Sequence, residues 1–435
     1  MTSTLPGTTN TTGPSGADIA ALVERRTPGY SLEAPFYTDP AIFDLDMKAI
    51  FAKHWLFSAT EAEIPDPGDY VTIDIGPYSV IITRDDDEEV RAFHNTCRHR
   101  GARLLTDACG SVGNIVCPYH QWTYRVDGDL IFAEGQPDDF DRKAFGLRPV
   151  HTRTLAGLIF ICLADTPPDD FDDVASKIEP YLAPFDLANA KVAHIDDFVE
   201  AGNWKLTMEN NRECLHCDAG HPELITAYFP VTHMSVEDAH PRLRPAIERF
   251  DAANAALERV CSLANYPSPA QGHRDLQDRP TGFHVLHLPL DGAGTSFGVN
   301  GQAVSSKLMG TVTEPSFGDL SIHMQPNTWL HFLSDHAVVF RVLPLSATSS
   351  MVRTTWLVAP DAEDGVHYDL DALTQVWRAT NAQDGAFVEL TQRGVTDPGY
   401  RPGPYAKSEV DVDAFVTWYL NRVREHLDTS PTPGD

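Results

Sequence analysis

The chain is expected to fold as α+β, with a small antiparallel β domain followed by a larger domain whose antiparallel sheet is flanked by helices. Three observations predict this. Short β-rich pieces crowd residues 70–95, separated by turn residues. Beyond residue 165 helical and strand patterns alternate irregularly, and two long helical patterns, Asp369–Thr391 and Val412–Leu427, close the chain.

In chain order, residues 1–17 are rich in Thr, Gly, Ser and Pro without apolar periodicity and read as a flexible tail. Residues 18–50 form a helical segment that joins the larger domain. It holds a short helix at Asp18–Arg25 and the start of an amphipathic helix, Asp46–Trp55, on which Met47, Ile50, Phe51 and Trp55 recur three or four apart. The β domain spans residues 51–165. YVTIDI, YSVIITR and VRAFHN are its first strands, broken by the Gly76-Pro77 turn and the acidic run Asp85–Glu89. Asp127-Gly128 suits a hairpin turn, and LAGLIFICLA, Leu155–Ala164, is the closing strand. In residues 166–435 the pattern predicts helices around Asn203–Leu215 and Pro241–Ala264, and strands around Thr281–Leu288, Thr328–Phe332, Ala337–Leu343 and Val352–Val358.

At 435 residues and 42% hydrophobic the chain can bury a large core in two or three domains. With 62 acidic against 33 basic residues its formal charge is −29, which argues against nucleic acid or an anionic membrane as partner, since both require clustered cations. The first residues carry neither a basic segment nor an apolar run, and no stretch of about eighteen apolar residues occurs, so a cytoplasmic location is expected. Seven cysteines, an odd number without scaffold-like spacing, fit a reducing compartment in which thiols act as ligands or small core residues.

Four residues carry the first chemistry: Cys97 and His99 in CRHRG, then Cys117 and His120 in CPYHQW. Cys-x-His, seventeen residues, Cys-x-x-His has the ligand types for a two-iron, two-sulfur cluster in which two thiolates hold one iron and two imidazoles the other. Zinc also accepts two Cys and two His, but zinc fingers group Cys with Cys and His with His, whereas here each loop contributes one of each. Gly101 and Pro118 suit tight loops. Arg98, Arg100 and Arg103 would give the first loop a local positive charge against the acidic background, either a docking spot for an acidic electron donor or simply hydrogen bonds to neighbouring backbone and carboxylates.

An electron that enters a cluster needs an acceptor, and the segment starting at Asn203, NWKLTMENNRECLHCDAGHPEL, offers one. On a helix Glu213 and His216 share a face at i, i+3, and Gly220 and Pro222 would end that helix and turn His221 back toward His216. Two histidines and a carboxylate make the facial triad of non-haem iron(II), which leaves coordination positions open. Spacing alone leaves Glu213, Asp218, Glu223 and Asp384 all as candidates for the carboxylate. Cys214 and Cys217 also spell a CxxC redox pair, a reading weakened by their place inside the candidate metal helix.

CRHRGARL and CPYHQWTY resemble the Rieske domain of ring-hydroxylating and N-demethylating oxygenases. Respiratory Rieske proteins clamp the two loops with a disulfide, but Ala102 and Tyr119 stand at those positions here. NWK, ENNREC, H-C and GHPEL resemble the iron-binding helix of the branch acting on quaternary amines, the glycine betaine monooxygenases and stachydrine demethylases, and the likeness runs from Phe36 to the C-terminal helices. It implies His216 and His221 as iron ligands and Asp384, from the Asn-x-x-Asp pattern at Asn381, as the third. Glu213 then becomes the bridging carboxylate that links an iron histidine to a cluster histidine of a neighbouring subunit. One departure stands out: the residue before the first iron histidine is commonly Tyr in this branch and is Leu215 here.

The resemblance implies an oxygenase component with a [2Fe-2S] Rieske cluster and a mononuclear Fe(II), using O2 and electrons from a separate NAD(P)H-dependent reductase. The chain would be a homotrimer. It would hydroxylate an N-methyl group of a quaternary ammonium compound such as glycine betaine, releasing formaldehyde and the demethylated amine. No dinucleotide-binding Gly motif is present in the sequence to replace the reductase. A trimethylammonium group donates no hydrogen bond, so aromatic faces must recognise it; Tyr228, Phe229, Trp329 and Phe332 are the candidate walls. His331, His336 and Arg341 are candidates for the substrate carboxylate. The alternatives are an aromatic-ring dihydroxylase, which needs a flat apolar pocket, and a Rieske electron carrier, which would leave residues 166–435 without a purpose.

Overall fold

The computed structural model describes residues 16–232 and 240–429. Most of the tail expected over residues 1–17 thus lies outside the described residues, and Gly16 already opens helix α1 (Gly16–Arg25). Helices α2 (Pro35–Thr38) and α3 (Pro40–Asp46) follow. Asp39 caps α3 by accepting from the Ala41 N–H at 2.8 Å, and Pro40 takes the first-turn position where its missing N–H costs nothing. The helix expected over Asp46–Trp55 is corrected: α3 ends at Asp46, a single π turn carries the chain to Phe51, and Trp55 lies beyond it. The wider turn, closed by Ala52 N–H to Met47 O at 2.9 Å, leaves Met47, Ile50 and Phe51 in one core and sends Trp55 into another, where its indole donates to Pro168 O.

The β domain contains strands β1 (Leu56–Thr60), β2 (Asp69–Ile75), β3 (Tyr78–Arg84), β4 (Val90–His94), β5 (Cys109–Ser111), β6 (Ile115–Val116), β7 (Thr123–Tyr124), β8 (Leu130–Phe132), β9 (His151–Leu155) and β10 (Leu158–Cys162). They form sheets ordered β4-β3-β2-β5, β6-β7-β8 and β1-β10-β9, with antiparallel pairing throughout. The strand expected over Leu155–Ala164 is instead a hairpin, because Ala156 and Gly157 both take positive φ and turn β9 into β10. Asp127-Gly128 does turn β7 into β8. Gly128 has φ +91°, and a Cβ there would sit 2.4 Å from the Phe93 ring.

The larger domain is built on a seven-stranded sheet of order β11-β17-β16-β15-β14-β13-β12. Its strands are β11 (Lys191–Glu200), β12 (Arg274–Asp275), β13 (Phe283–Leu288), β14 (Asp319–Met324), β15 (Thr328–Phe332), β16 (Ala337–Ser346) and β17 (Ser349–Val358). β11, β12 and β14 were not expected. On β14 Leu320, Ile322 and Met324 face the core while Asp319, Ser321 and His323 face the other way. The helices are α4 (Phe171–Leu182), α5 (Trp204–Asn211), α6 (Cys217–Gly220), α7 (Arg244–Ala264), α8 (Leu370–Val395) and α9 (Val410–Thr429).

The helix expected over Asn203–Leu215 ends early, and a separate short helix follows it. α5 is capped by Asn203, whose side chain accepts from the Lys205 N–H at 3.0 Å, and it ends at Asn211. A non-helical turn through Glu213 then leads to α6. A fully buried ion pair anchors α5: Lys205 Nζ bonds Asp46 at the end of α3, and Asp46 also accepts from Trp204 Nε1 at 2.9 Å and Tyr419 OH at 2.7 Å. That cluster ties the N-terminal helices, α5 and α9 together.

Candidate active site and cluster site

The two Cys-His loops are built alike. In the first, Cys97 N–H donates to Ala102 O at 2.8 Å and Gly101 N–H returns to Cys97 O at 3.0 Å; in the second, Cys117 N–H donates to Trp122 O at 2.8 Å and Gln121 N–H returns to Cys117 O at 3.1 Å. The fourth residue after each cysteine takes positive φ, +77° at Gly101 and +59° at Gln121. Asn95 supports the first loop, its Oδ1 accepting from Leu104 N–H at 3.1 Å and Leu105 N–H at 2.9 Å. The result brings the four donor side chains to one tip. Cys97 and Cys117 are buried free thiols, and the rings of His99 and His120 lie 4.6 Å apart. The His99 ring stacks on Trp122 at 4.9 Å and that of His120 lies 3.7 Å from Tyr119. Tyr124 OH, 3.4 Å from Cys97 Sγ, is placed to donate to a thiolate. Two buried sulfurs and two imidazoles on one tip fit a [2Fe-2S] cluster.

The arginines of the first loop are largely engaged. Arg103 Nη1 binds both oxygens of Asp74 at 2.8 and 3.0 Å, Arg98 donates to Gly146 O at 2.8 Å, and Arg100 lies over the Tyr119 ring at 5.2 Å. Of the two expectations for this loop, local hydrogen bonding accounts for Arg98 and Arg103.

In the larger domain His216, His221 and Asp384 converge. Asp384 comes from α8, and its Oδ1 lies 3.2 Å from His216 Nε2 and 3.0 Å from His221 Nε2. The other nitrogen of each ring is held by an oxygen: His216 Nδ1 bonds Glu213 Oε1 at 2.6 Å, and His221 Nδ1 bonds Gln383 Oε1 at 2.8 Å. Gln383 in turn donates to Glu223 Oε2 at 2.8 Å, and Asn210 donates to Asp384 Oδ1 at 2.8 Å. Burial alone would lower the pKa of His216, but its bonds to Asp384 and Glu213 outweigh that and push it up to about 9. Burial raises Asp384, yet the two histidines hold it below the usual carboxylate range. Three donor atoms meeting in this way fit a divalent cation, which on binding would displace the proton from each Nε2 and leave Nδ1–H to its oxygen partner. Such oxygen partners on the remote ring nitrogens are what fix the orientation of metal-bound imidazoles.

Glu213 reaches His216 from the turn between α5 and α6, so the expected i, i+3 helical pairing is replaced by a local loop contact in which the Leu215 N–H also donates to Glu213. The other carboxylates weighed fall elsewhere: Glu223 touches Gln383, and Asp218 is exposed. Cys214 and Cys217 are joined as a disulfide across this turn, their Cα atoms 5.0 Å apart, contrary to the expectation of unpaired thiols. Asn381 donates to Thr354 Oγ1 at 2.9 Å and fastens α8 to β17.

The triad opens into a cavity of about 320 Å³ whose floor is the face of β13 and β14 that carries His284, Leu286, Leu288, Asp319, Ser321 and His323. Of the expected aromatic walls only Tyr228 lines it, donating to Asp319 Oδ2 at 3.0 Å. The other three are corrected. Phe229 packs on Phe250 in a side cluster, Trp329 stacks on Phe340 at 4.8 Å, and Phe332 faces the opposite side of the sheet against Phe185. Trp377 of α8 supplies the ring that sequence reasoning missed. Of the expected carboxylate partners, Arg341 donates to Ser58 O, His336 is buried against Asp335 and Ser296, and His331 lines the cavity but bonds Asp319 at 3.1 Å. Asn210, in ENNREC, and Gln383, in the Asn-x-x-Asp pattern, bond candidate ligands and their place in those motifs was the signal that could have found them.

Residues 54–141 match the family model of the Rieske [2Fe-2S] domain and residues 186–425 that of the ring hydroxylating alpha subunit catalytic domain, more than half of the chain. The glycine betaine monooxygenase oxygenase subunit of Chromohalobacter salexigens is 41% identical over 94% of this chain and 89% of that protein. Its Pseudomonas aeruginosa counterpart is 40% identical over 95% of this chain and 94% of its own length. The fold also matches two solved structures. The quaternary ammonium Rieske monooxygenase CntA in complex with gamma-butyrobetaine has a TM-score of 0.66 at 21% identity, covering 92% and 97% of the two chains. Naphthalene 1,2-dioxygenase from Rhodococcus has a TM-score of 0.63 at 20% identity, covering 92% and 95%. Among the described residues no helix is long and apolar enough to cross a membrane. The catalytic-domain match rules out a bare electron carrier, and the chain belongs to the Rieske non-haem iron oxygenases, as an alpha subunit with a [2Fe-2S] cluster and a mononuclear iron.

Proposed function

We propose that this chain is the oxygenase component of an N-demethylating monooxygenase acting on a glycine betaine-like quaternary amine. The observation that carries the reading is that the triad opens into a cavity whose lining joins the carboxylate Asp319 to the rings of Tyr228, Trp377 and His331, a surface suited to a trimethylammonium cation. The likeness to glycine betaine monooxygenase oxygenase subunits over nearly the whole chain supports it. An aromatic-ring dihydroxylase would need a flat apolar pocket, and Arg274, His284, His323 and Asp411 line this one as well.

Cys97, His99, Cys117 and His120 would hold the cluster, and His216, His221 and Asp384 the iron. When bound, the iron supplies activation of O2, with electrons relayed through the cluster. Tyr228, Trp377 and Asp319 would orient one N-methyl group toward the triad, and the buried floor would limit water. One oxygen atom enters a C–H bond of that methyl group and the other leaves as water, taking up two electrons and two protons. The N-hydroxymethyl product then loses formaldehyde and a proton to give the tertiary amine.

The electron donor would be a separate NAD(P)H-dependent reductase. A homotrimer would bring the cluster tip of one subunit to the triad of the next. Supporting this, the tip exposes Tyr119 (57%) beside His120, while Leu215 (49%) lies exposed next to Glu213, the carboxylate already bonded to His216. Glu213 would then bridge the two centres. We assign residues 18–50 to a segment joining the catalytic domain, 51–165 to the cluster domain and 166–435 to the catalytic domain; packing of α1 on α9 and the pairing of β1 with β10 support these limits. A cytoplasmic location would keep Cys97 and Cys117 reduced for the cluster, and the Cys214–Cys217 disulfide would there be open to reduction.

The test is formaldehyde release by the holoenzyme with a reductase, offered glycine betaine, stachydrine, carnitine, choline and toluate. Glycine betaine-like compounds should yield formaldehyde, and His216→Ala should abolish turnover while keeping the cluster spectrum. Oxidation of toluate without formaldehyde from any quaternary amine would overturn the reading.

A further inference from the structure

The cavity has a second polar end that the triad does not use. His284 and His323 are cross-strand partners on β13 and β14, so both imidazoles rise from the same face of the sheet, ring centroids 6.3 Å apart. Asp411 in the first turn of α9 accepts from His284 Nδ1 and from Arg274 Nε, each at 2.7 Å, and Arg274 also donates to Val410 O at 3.2 Å. Ligand atoms of His284, His323 and Asp411 all lie within 4.8 Å of one another. His323 is 9% exposed, lines the cavity, and its Nδ1 has no hydrogen-bond partner among the described residues.

Arg212, one residue before Glu213, reaches this end from the triad side. It is 3% exposed, and among the described residues its guanidinium donates only to neutral oxygens: Asn211 Oδ1 at 2.6 Å, Met324 O at 3.4 Å, Gln325 Oε1 at 3.2 Å and Thr328 O at 3.3 Å. Arg274 and His284 thus engage both oxygens of Asp411, His323 stands within 4.8 Å of it, and the Arg212 guanidinium adds a further positive charge to the same cavity. Two histidines and an aspartate are also metal-ligand types, but a cation placed here would face Arg212 and Arg274 and would compete with Arg274 for Asp411. A buried cation and a buried imidazole nitrogen with no anionic partner instead favour the arrival of an anion.

We propose that Arg212, Arg274, His284 and His323 form the subsite that takes the carboxylate of the substrate, so that the chain selects trimethylammonium compounds bearing a carboxylate over their alcohol analogues. The assignment rests on the quaternary-amine reading above and gives the substrate a direction: carboxylate at this end, N-methyl groups toward Tyr228, Trp377 and the triad.

The test is calorimetric titration of the holoenzyme with trimethylglycine and with choline, which share the trimethylammonium head and differ in carboxylate against hydroxyl. The wild type should prefer trimethylglycine. Arg274→Met and His323→Leu should each weaken trimethylglycine binding by about 30-fold, as loss of a hydrogen bond to a charged group does, and shrink the preference over choline by about the same factor. Arg274→Lys should restore part of it. The cluster spectrum and thermal midpoint report folding, and Arg274, at the cavity mouth with its side chain 43% exposed, can be replaced without opening a core void. A preference that survives both Arg274→Met and His323→Leu overturns the assignment, as does a metal ion retained by His284, His323 and Asp411 in a His216→Ala, His221→Ala double variant. Binding that depends on Arg274 without any formaldehyde release would uphold the subsite and overturn the demethylation reading instead, while a wild type that binds neither ligand overturns both.

Discussion

Gln383→Leu separates the support of the iron site from its ligands. His221 is 1% exposed and its Nδ1–H donates to Gln383 Oε1 at 2.8 Å, so leucine, of similar volume, leaves that N–H at a depth water does not reach. An unsatisfied buried donor costs about 1–3 kcal/mol, and about 1.4 kcal/mol is tenfold in an equilibrium constant. Ferrous ion should therefore bind the proposed His216, His221 and Asp384 site about 5- to 150-fold more weakly, in line with the loss of about 10- to 100-fold typical when a partner of a metal-bound imidazole is removed. Glu223 loses the Gln383 donor in the same variant but is partly exposed and regains water, so Glu223→Gln should change iron affinity less than about threefold. Competition with a colorimetric ferrous chelator measures both, and the visible spectrum of the cluster should be unchanged in each. A Gln383→Leu protein that folds normally and holds iron within about threefold of wild type would refute the idea that Nδ1 of His221 fixes its orientation.

Four further outcomes are expected. Lys205→Met leaves Asp46 charged, fully buried and stripped of its cation, and should lower stability by about 3–5 kcal/mol in denaturant unfolding; a well-packed apolar replacement of both partners should recover most of it. Burial pushes Glu209 up to about 7 from an ordinary 4.5, against the opposing bonds from Tyr37 and Tyr405. Its stabilising contribution is complete below pH 4.5 and is lost as pH rises through 7, on the order of 3 kcal/mol, so Glu209→Gln should flatten the stability profile across that window. Glu200, also pushed up to about 7 by burial, should leave a residual slope. Glu213→Gln should cut turnover more than about tenfold while iron content and cluster spectrum persist, and full activity would exclude it from the electron path. Tyr124→Phe removes the hydroxyl 3.4 Å from Cys97 Sγ and should lower the cluster potential by about 20–60 mV in redox titration, the equivalent of one ordinary hydrogen bond.

These variants also mark where the sequence was legible. The proposed cluster ligands stood out because each loop carries a Cys and a His two or three residues apart, and the loop that presents them closes on itself, Cys97 to Gly101 and Ala102, Cys117 to Gln121 and Trp122. The proposed iron ligands His216 and His221 stood out for the same local reason. Asp384 did not, because its contact with His216 spans 168 positions; it came from the likeness of an Asn-x-x-Asp pattern in which Asn381 proves to serve packing. The helix read through Asn203–Leu215 failed where Arg212 and Glu213 turn toward the cavity, since side-chain periodicity carries no record of a ligand segment leaving its helix.

The lining of the cavity, the proposed substrate pocket, was hidden by a different cause. A strand with one face on a core and one on a cavity shows the alternation of a solvent-edge strand, so DLSIHM, with Asp319, Ser321 and His323 pointing into the cavity, did not read as a central strand of the sheet, although every residue of it is buried. Trp329 and Phe332 were drawn toward the pocket by residue type alone. Phase then decides against Phe332: strand period is two, so with His331 on the cavity face its neighbour at 332 must face the core, where it meets Phe185. The same rule applied to the register His284 with His323, Leu286 with Ser321 and Leu288 with Asp319 lays out the cavity floor, with imidazoles at one end and a carboxylate at the other. The residues proposed to choose a ligand are therefore the inward-facing polar ones, and their chemistry becomes visible only once strand register sets which of them stand side by side.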